Sequence, residues 1–172
     1  MSDPIETPDA TAQPAAYRDA LLALVGERDP LAIMAETPAR LAALLAGRPA
    51  AELQRPPAPG EWPAATILGH LVDVEIVSGF RWRLALTEDR PSYPGYDEKR
   101  WSELPRPAAG RLLAAFEVLR EYNLTLLREV PRSDWQRAAV HEEQGPETVE
   151  MMVRKTAGHD LAHLDQLKRT LV

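Results

Sequence analysis

The chain has 172 residues, 20 basic and 26 acidic side chains, a formal net charge of −6 and no cysteine. This length fits one domain with its own core, and the lack of cysteine excludes disulfides, cysteine-ligated metal sites and a protein thiol as nucleophile. The negative charge argues against nucleic acid and anionic membranes as partners, since neither would be attracted by such a field.

The N-terminal residues 1–14 are polar and rich in proline, which predicts a disordered tail in front of a single domain over residues 15–172. Acidic residues and prolines at the start do not fit a secretory signal peptide. No apolar run approaches the roughly 20 residues that a membrane span requires. Together with the lack of cysteine, these features predict a cytoplasmic protein with no membrane partner.

The segment 15–47 predicts a kinked or restarted pair of helices, because apolar residues recur at helical spacing on both sides of an interruption. Asp29 before Pro30, and Thr37 before Pro38, each resemble an N-cap followed by proline at the first helical position. The prolines and glycines that follow the pair predict a loop.

Three longer helices are expected over residues 63–86, 108–130 and 147–171, each with an apolar stripe. The connection 87–107 exceeds the usual limit of ~12–15 residues, so it is expected to be either a functional lid or a packed connection across one end of the bundle. No segment alternates polar and apolar residues between hairpin turns, which predicts essentially no sheet. The fold class is therefore all-α, a four-helix bundle with long connections.

The histidines are the residues whose placement suggests chemistry. His159 and His163 are four residues apart in a predicted helix, so both imidazoles lie on one face. His70 lies on the apolar face of the second long helix, where an imidazole needs a partner. If these two helices are neighbours, the three rings meet, and three neutral imidazoles suit zinc, nickel, iron or copper with an open coordination position.

Simpler interpretations of the same residues stay open at this point. Two histidines in one helix turn can be surface residues, and a single inward histidine can be hydrogen-bonded to a neighbour. His141 is interpreted as a loop residue outside the site. Asp73 could orient His70, yet a solvated helix surface is favoured for Asp73, Asp160, Asp165 and Gln166, with Asp160 pointing away. Ion pairs are expected for Glu61, Glu75, Arg81 and Arg83, and packing roles for Trp62, Phe80 and Trp82.

Three segments resemble the DinB/YfiT-like superfamily. Residues 61–73 resemble its opening, a tryptophan followed by a helix that carries the first ligand histidine. Residues 81–91, followed by 96–98 and 101–104, look very much like the YfiT branch, and residues 158–167 match the pattern that supplies the second and third ligands. The resemblance covers about residues 15–171. The chain departs from the family pattern at two positions. Pro63 stands where a serine or threonine usually follows the tryptophan, and Ala162 stands where the YfiT branch commonly has the first of two consecutive histidines.

The resemblance implies a four-helix bundle, often dimeric, that binds one divalent transition metal ion, zinc or nickel by preference, through His70, His159 and His163. It assigns no catalytic residue beyond these ligands. It implies a metal-dependent enzyme acting on a small molecule, either a thiol-dependent S-transferase with a bacillithiol- or mycothiol-like co-substrate or a hydrolase. The alternatives are a non-enzymatic metal-binding stress-response bundle and a helical interaction module without metal.

Overall fold

The computed structural model describes residues 5–10 and 12–172. Within this part of the chain the bundle consists of a broken helix pair and three long helices: α1 (Pro14–Val25) with α2 (Pro30–Leu45), α4 (Ala64–Thr87), α6 (Ala109–Glu129) and α7 (Val149–Thr170). Two short helices lie in the connections, α3 (Ala50–Leu53) and α5 (Glu98–Ser102). The predicted four-helix bundle is confirmed.

Helix α7 lies at the centre of the packing, since it contacts α1, α2 and α4, while α6 packs against α2 and α4. The apolar side chains form two clusters, one around Trp82 and one around Phe116, and both of these rings are fully buried. Burial at roughly 25 cal/mol per Å² of apolar surface is what holds the helices together. Trp82 therefore packs as predicted, whereas Phe80 is 57% exposed.

The two proposed helix starts in the first segment have different outcomes. Asp29 accepts a hydrogen bond from the Leu31 N–H over 3.0 Å, so α2 does begin with this N-cap and with Pro30. The second start is wrong, because α2 continues through Pro38. The Thr37 hydroxyl does not cap the helix but lies 2.9 Å from Oδ2 of Asp160, in the core.

The absence of a sheet was also predicted wrongly. The connections contain a small three-stranded sheet in the order β1 (Ser92–Tyr93), β2 (Ala138–His141) and β3 (Gly145–Thr148), with β1 parallel to β2 and β2 antiparallel to β3. Strands of two and four residues are too short to show alternation. The pairing of β1 with β2 joins distant parts of the chain, which local patterns do not report.

The N-terminal segment is described in part. Residues 1–4 and 11 of the predicted tail lie outside the described residues. The Ile5 N–H donates to Oδ2 of Asp165 over 3.0 Å, so this end of the chain contacts α7; the disordered tail and the domain boundary stay predictions. None of the described helices is both long and apolar enough to cross a bilayer.

Candidate metal centre

The three predicted ligand histidines meet where α4 and α7 pack together. His70 extends from α4, and His159 and His163 extend from successive turns of α7. Nε2 of His159 lies 3.0 Å from Nε2 of His70 and 3.0 Å from Nε2 of His163. One nitrogen from each of the three rings falls within 4.8 Å of the others. The structure thus brings together all three residues that the sequence singled out.

Hydrogen bonds among the three rings cannot account for both of these short nitrogen–nitrogen contacts. Nδ1 of His163 lies 2.7 Å from Oε1 of Gln166. Because an amide oxygen only accepts, this Nδ1 carries the hydrogen and Nε2 of His163 directs a lone pair at the cluster. A single N–H on His159 cannot point straight at both His70 and His163. A cation between three nitrogen lone pairs would satisfy all of them.

Burial keeps these imidazoles neutral. It lowers the pKa of His70 to about 3, with repulsion from His163 and Arg106 adding to the effect. It lowers the pKa of His159 well below the usual value, and it lowers the pKa of His163 although the hydrogen bond to Gln166 acts in the opposite direction. The neutral form is the one that binds transition metals.

The two nitrogen separations that include His159 fit a metal ion. A transition metal bonds imidazole nitrogen at about 2.0–2.1 Å, which sets two such ligands about 3.0–3.4 Å apart. The observed separations of 3.0 Å fall at the lower end of this range. Among the described residues the cluster contains three histidines and no carboxylate. Such a set suits one divalent transition metal and leaves coordination positions for other molecules.

Close helix packing positions α7 beside the rest of the bundle. A Cβ at Gly158 would lie 2.2 Å from the backbone oxygen of Leu21, so only glycine allows α1 and α7 to approach this closely next to His159. On the other side, the Trp62 ring lies 5.3 Å from the His70 ring. Backbone contact and aromatic packing therefore both constrain the histidine cluster.

The carboxylates near the histidines differ from expectation. Asp73 is 7% exposed and pairs with Arg106, which donates from Nη1 over 2.8 Å and also from Nη2. The favoured solvated position is therefore wrong for Asp73, and no hydrogen bond joins it to His70 among the described residues. Gln166, also assigned to the solvated surface, instead orients His163. An acceptor on the second ring nitrogen is the usual support for a metal-binding histidine.

Asp160 belongs to a buried ionic network that sequence reasoning missed. It is fully buried and does not lie on the surface as predicted. Arg120 of α6 donates to both carboxylate oxygens of Asp160 and to Oε1 of Glu75, and its charge is buried with theirs. The ion pair expected for Glu75 is confirmed. The available signal was the position of Arg120 four residues after Phe116, on the buried face of its helix.

A large cavity opens beside the histidines. Its volume is about 1130 Å³, and His159, His163 and Trp62 line one part of it. Typical ligand pockets measure roughly 300–1,000 Å³, so this cavity accommodates an organic molecule. The connection 87–107 contributes Tyr96 to the wall. It is also tied to α4 through the ion pair of Arg106 with Asp73, which is the behaviour of a packed connection.

His141 lies on strand β2, not in a loop, and outside the histidine cluster. Its ring packs edge-on against Tyr93 of β1 at 5.2 Å. The Tyr93 hydroxyl donates to Glu147 of β3 over 2.8 Å, and Glu147 also pairs with Lys155 of α7. The small sheet thus places His141 and Glu147 on the cavity wall, beside Lys155, while Tyr93 is buried. Sequence analysis missed Glu147 and Lys155, since no local motif marks them.

Comparison with known proteins places this chain in a family. The model of the DinB superfamily matches residues 33–167. The chain belongs to the DinB superfamily. Among curated members, "Putative metal-dependent hydrolase YfiT" of Bacillus subtilis is 28% identical over 150 residues, covering 81% of this chain and 82% of that protein. A Bacillus cereus protein with the name "Putative metal-dependent hydrolase" is 30% identical over 129 residues, covering 70% of this chain and 72% of that protein.

A solved structure shares the fold. YfiT from Bacillus subtilis, described as having "an unusual four-helix bundle topology", superimposes with a TM-score of 0.75 and covers 99% of this chain and 91% of its own. The sequence identity in this superposition is 24%, so this likeness shows the fold alone. The fold, the family and the histidine cluster agree with the resemblance found in the sequence.

Proposed function

We propose that this DinB-superfamily protein is a metal-dependent enzyme that holds one divalent transition metal ion, zinc or nickel, through His70, His159 and His163. The observation that carries the proposal is the convergence of three neutral imidazoles, with Nε2 of His159 3.0 Å from Nε2 of both His70 and His163, beside a cavity of about 1130 Å³ that His159 and His163 line. A purely structural metal site would be expected to have four protein ligands and no adjoining cavity.

The proposed reaction joins a small-molecule thiol to an acceptor molecule. We favour this thiol transfer over hydrolysis. Bound to the three histidines, the metal would supply Lewis acidity, which lowers the pKa of a coordinated thiol or water. The chain has no cysteine, so a thiol has to come from a low-molecular-weight co-substrate of the bacillithiol or mycothiol kind. The curated relatives named as metal-dependent hydrolases support metal dependence and keep hydrolysis as the competing reaction.

The chain's own residues would orient and shield the reaction. Gln166 holds the His163 tautomer that directs Nε2 at the centre. Trp62 packs against His70 and lines the cavity, so it excludes water from that side. The cavity is wide enough for both a thiol and an acceptor molecule. The homodimer and the cytoplasmic location implied at the outset remain predictions.

Metal content is the first test. Elemental mass spectrometry of untagged protein should find about one equivalent in the wild type and none in the variant with His70→Ala, His159→Ala and His163→Ala. His141→Ala is the matched control, because it removes a buried histidine outside the cluster and should keep the metal. Absence of metal from the wild type after reconstitution with zinc and nickel would favour the interaction-module alternative.

Turnover then separates an enzyme from a metal-stabilised bundle. The metal-loaded protein is assayed with thiols and electrophilic acceptors, and separately with hydrolysable esters and amides. Thiol conjugation that disappears in His163→Ala supports the proposal, and metal-dependent hydrolysis without thiol transfer supports the competing reaction. A large loss of thermal stability on chelation, with no turnover of any kind, would support the non-enzymatic stress-response bundle.

A further inference from the structure

A second polar group lines the cavity away from the histidine cluster. We define the Arg81–Lys155 subsite by the lining residues Arg81, His141, Glu147 and Lys155, together with Tyr93, which is buried against Arg81 and Glu147. We propose that this subsite binds an anionic group, a carboxylate or phosphate, of the substrate whose reacting end lies at the histidine cluster. The inference rests on the proposed function for that reacting end. It adds the chemistry by which the substrate would be selected.

The charges of the subsite do not balance. Lys155 pairs with Glu147 and donates to Gln144 over 3.0 Å. Glu147 is therefore already committed to Lys155 and to Tyr93. Burial lowers the pKa of His141, followed by repulsion from Arg81, so this ring adds no charge near neutral pH. The subsite therefore has two cations and one carboxylate in direct contact, while Glu98, which also lines the cavity, attracts Arg81 from beyond ion-pair distance.

Among the described residues, Arg81 is the cation of the subsite that no carboxylate contacts. No carboxylate of the described residues lies within 4.0 Å of its guanidinium, so the ion pair expected from the sequence is absent there. The Arg81 guanidinium carbon lies 4.6 Å from the centre of the Tyr93 ring, and Nη2 donates to the Pro94 oxygen over 3.1 Å. These contacts hold the group in place, and guanidinium has five N–H donors in a fork that matches carboxylate or phosphate.

The subsite and two histidines of the cluster, His159 and His163, line the same cavity. Arg81 follows His70 by eleven residues on α4, close to three full turns, and Val74, Val77 and Ser78 between them also line the cavity. The axial separation is therefore about 16 Å. On α7, Lys155 is one turn from His159, or about 6 Å. A molecule that spans the site carries its anionic group roughly 6–16 Å from the reacting atom.

The net charge of the cavity lining would not by itself attract anions to the subsite. Acidic side chains, among them Glu6, Asp97 and Glu143, also line the cavity. Selection would therefore come from the local contact with Arg81 and not from the net field, because fork-shaped pairing depends on geometry. We accordingly expect replacement of Arg81 by lysine to restore only part of the binding.

Calorimetry with S-methylglutathione and its diethyl ester tests the subsite. The two probes differ in their carboxylates, and the capped sulfur cannot ionise, so the readout is independent of thiol chemistry. The wild type should bind the acid about tenfold more tightly than the ester, as expected for charge-assisted hydrogen bonds. Arg81→Gln should reduce this ratio to about one, Lys155→Gln should reduce it less, and Arg81→Lys should fall between wild type and Arg81→Gln.

Arg83→Gln is the matched control. It removes the same charge from the same helix, but Arg83 donates to Gly79 and Asn123 and lies outside the cavity lining. It should keep the wild-type ratio. A wild type without preference for the acid, or an equal preference in Arg81→Gln, would overturn the subsite. Failure of the proposed thiol chemistry would appear in a separate measurement. Addition of glutathione to the cobalt-loaded protein would then produce no thiolate absorption band, whatever the acid-to-ester ratio.

Discussion

Arg120 of α6 donates from Nη1 to the backbone oxygen of Met34 in α2 over 2.8 Å. This oxygen is the one that residue 38 would satisfy in a regular helix, but Pro38 has no N–H to donate. The same guanidinium pairs with Glu75 of α4 and Asp160 of α7. One buried side chain therefore links all four members of the bundle and compensates for a proline in the middle of a helix.

We expect Arg120→Met to destabilise the fold strongly. The substitution preserves much of the side-chain volume but leaves two buried carboxylates and the Met34 oxygen without their donor. Loss of one partner from a buried ionic group costs about 3–5 kcal/mol. Urea denaturation measures this loss. Arg111→Met, on the exposed part of the same helix, should change the free energy of unfolding by no more than about 0.5 kcal/mol; equal effects in both variants would contradict the role of the network.

Gly158→Ala should also destabilise the protein, because the new methyl group would meet the Leu21 backbone oxygen at 2.2 Å. Backbone cannot yield as a side chain can, so α1 and α7 would have to separate, at a cost of about 1–3 kcal/mol or more. Gly110→Ala is the control, since nothing lies within 4 Å of its added Cβ in α6. That change should leave stability unchanged or raise it by up to about 1 kcal/mol. Thermal unfolding of both variants would decide, and a harmless Gly158→Ala would show that the two helices are not in close contact.

Gln166→Ala is expected to weaken metal binding without abolishing it. The amide oxygen holds the His163 tautomer that presents Nε2 to the centre. Removing such a support lowers metal affinity by about 10–100-fold. Competition with a chromogenic chelator gives the affinity. Asp165→Ala alters the preceding residue, which pairs with Arg169 away from the histidines, and should retain wild-type affinity. An unchanged affinity in Gln166→Ala would argue against the assigned tautomer.

Zinc should stabilise the folded protein. A ligand that binds the native state alone adds about 2.7 kcal/mol at a free concentration of 100 times its dissociation constant. We therefore expect the melting temperature of metal-free protein to rise on titration with zinc. His159→Ala should show no such rise, while His141→Ala should respond like the wild type whatever its own starting stability. A zinc response that survives His159→Ala would place the metal elsewhere.

Much of the architecture was accessible from local patterns. The apolar stripes predicted α4, α6 and α7 within a few residues of their bounds, and Asp29 with Pro30 predicted the start of α2. The errors share a physical origin. Thr37 before Pro38 was expected to start a helix. That was wrong because Arg120, which donates to the backbone oxygen that Pro38 leaves without an N–H, lies far along the chain. The three-stranded sheet was missed since its strands are short and one pairing is non-local.

For the site, the sequence by itself singled out the histidine set, since helical spacing places His159 and His163 on one face and His70 on an apolar face. The family resemblance, and not the spacing, favoured it over simpler interpretations. It also determined that any thiol in the reaction is not the protein's own, since the chain has no cysteine. Only the tertiary structure decided which charges are buried and which remain free. Asp160 became a core residue, and Arg81 lines the cavity with no ion pair within the described part of the chain. The partners of a charged side chain are set by helix packing and not by its neighbours in sequence.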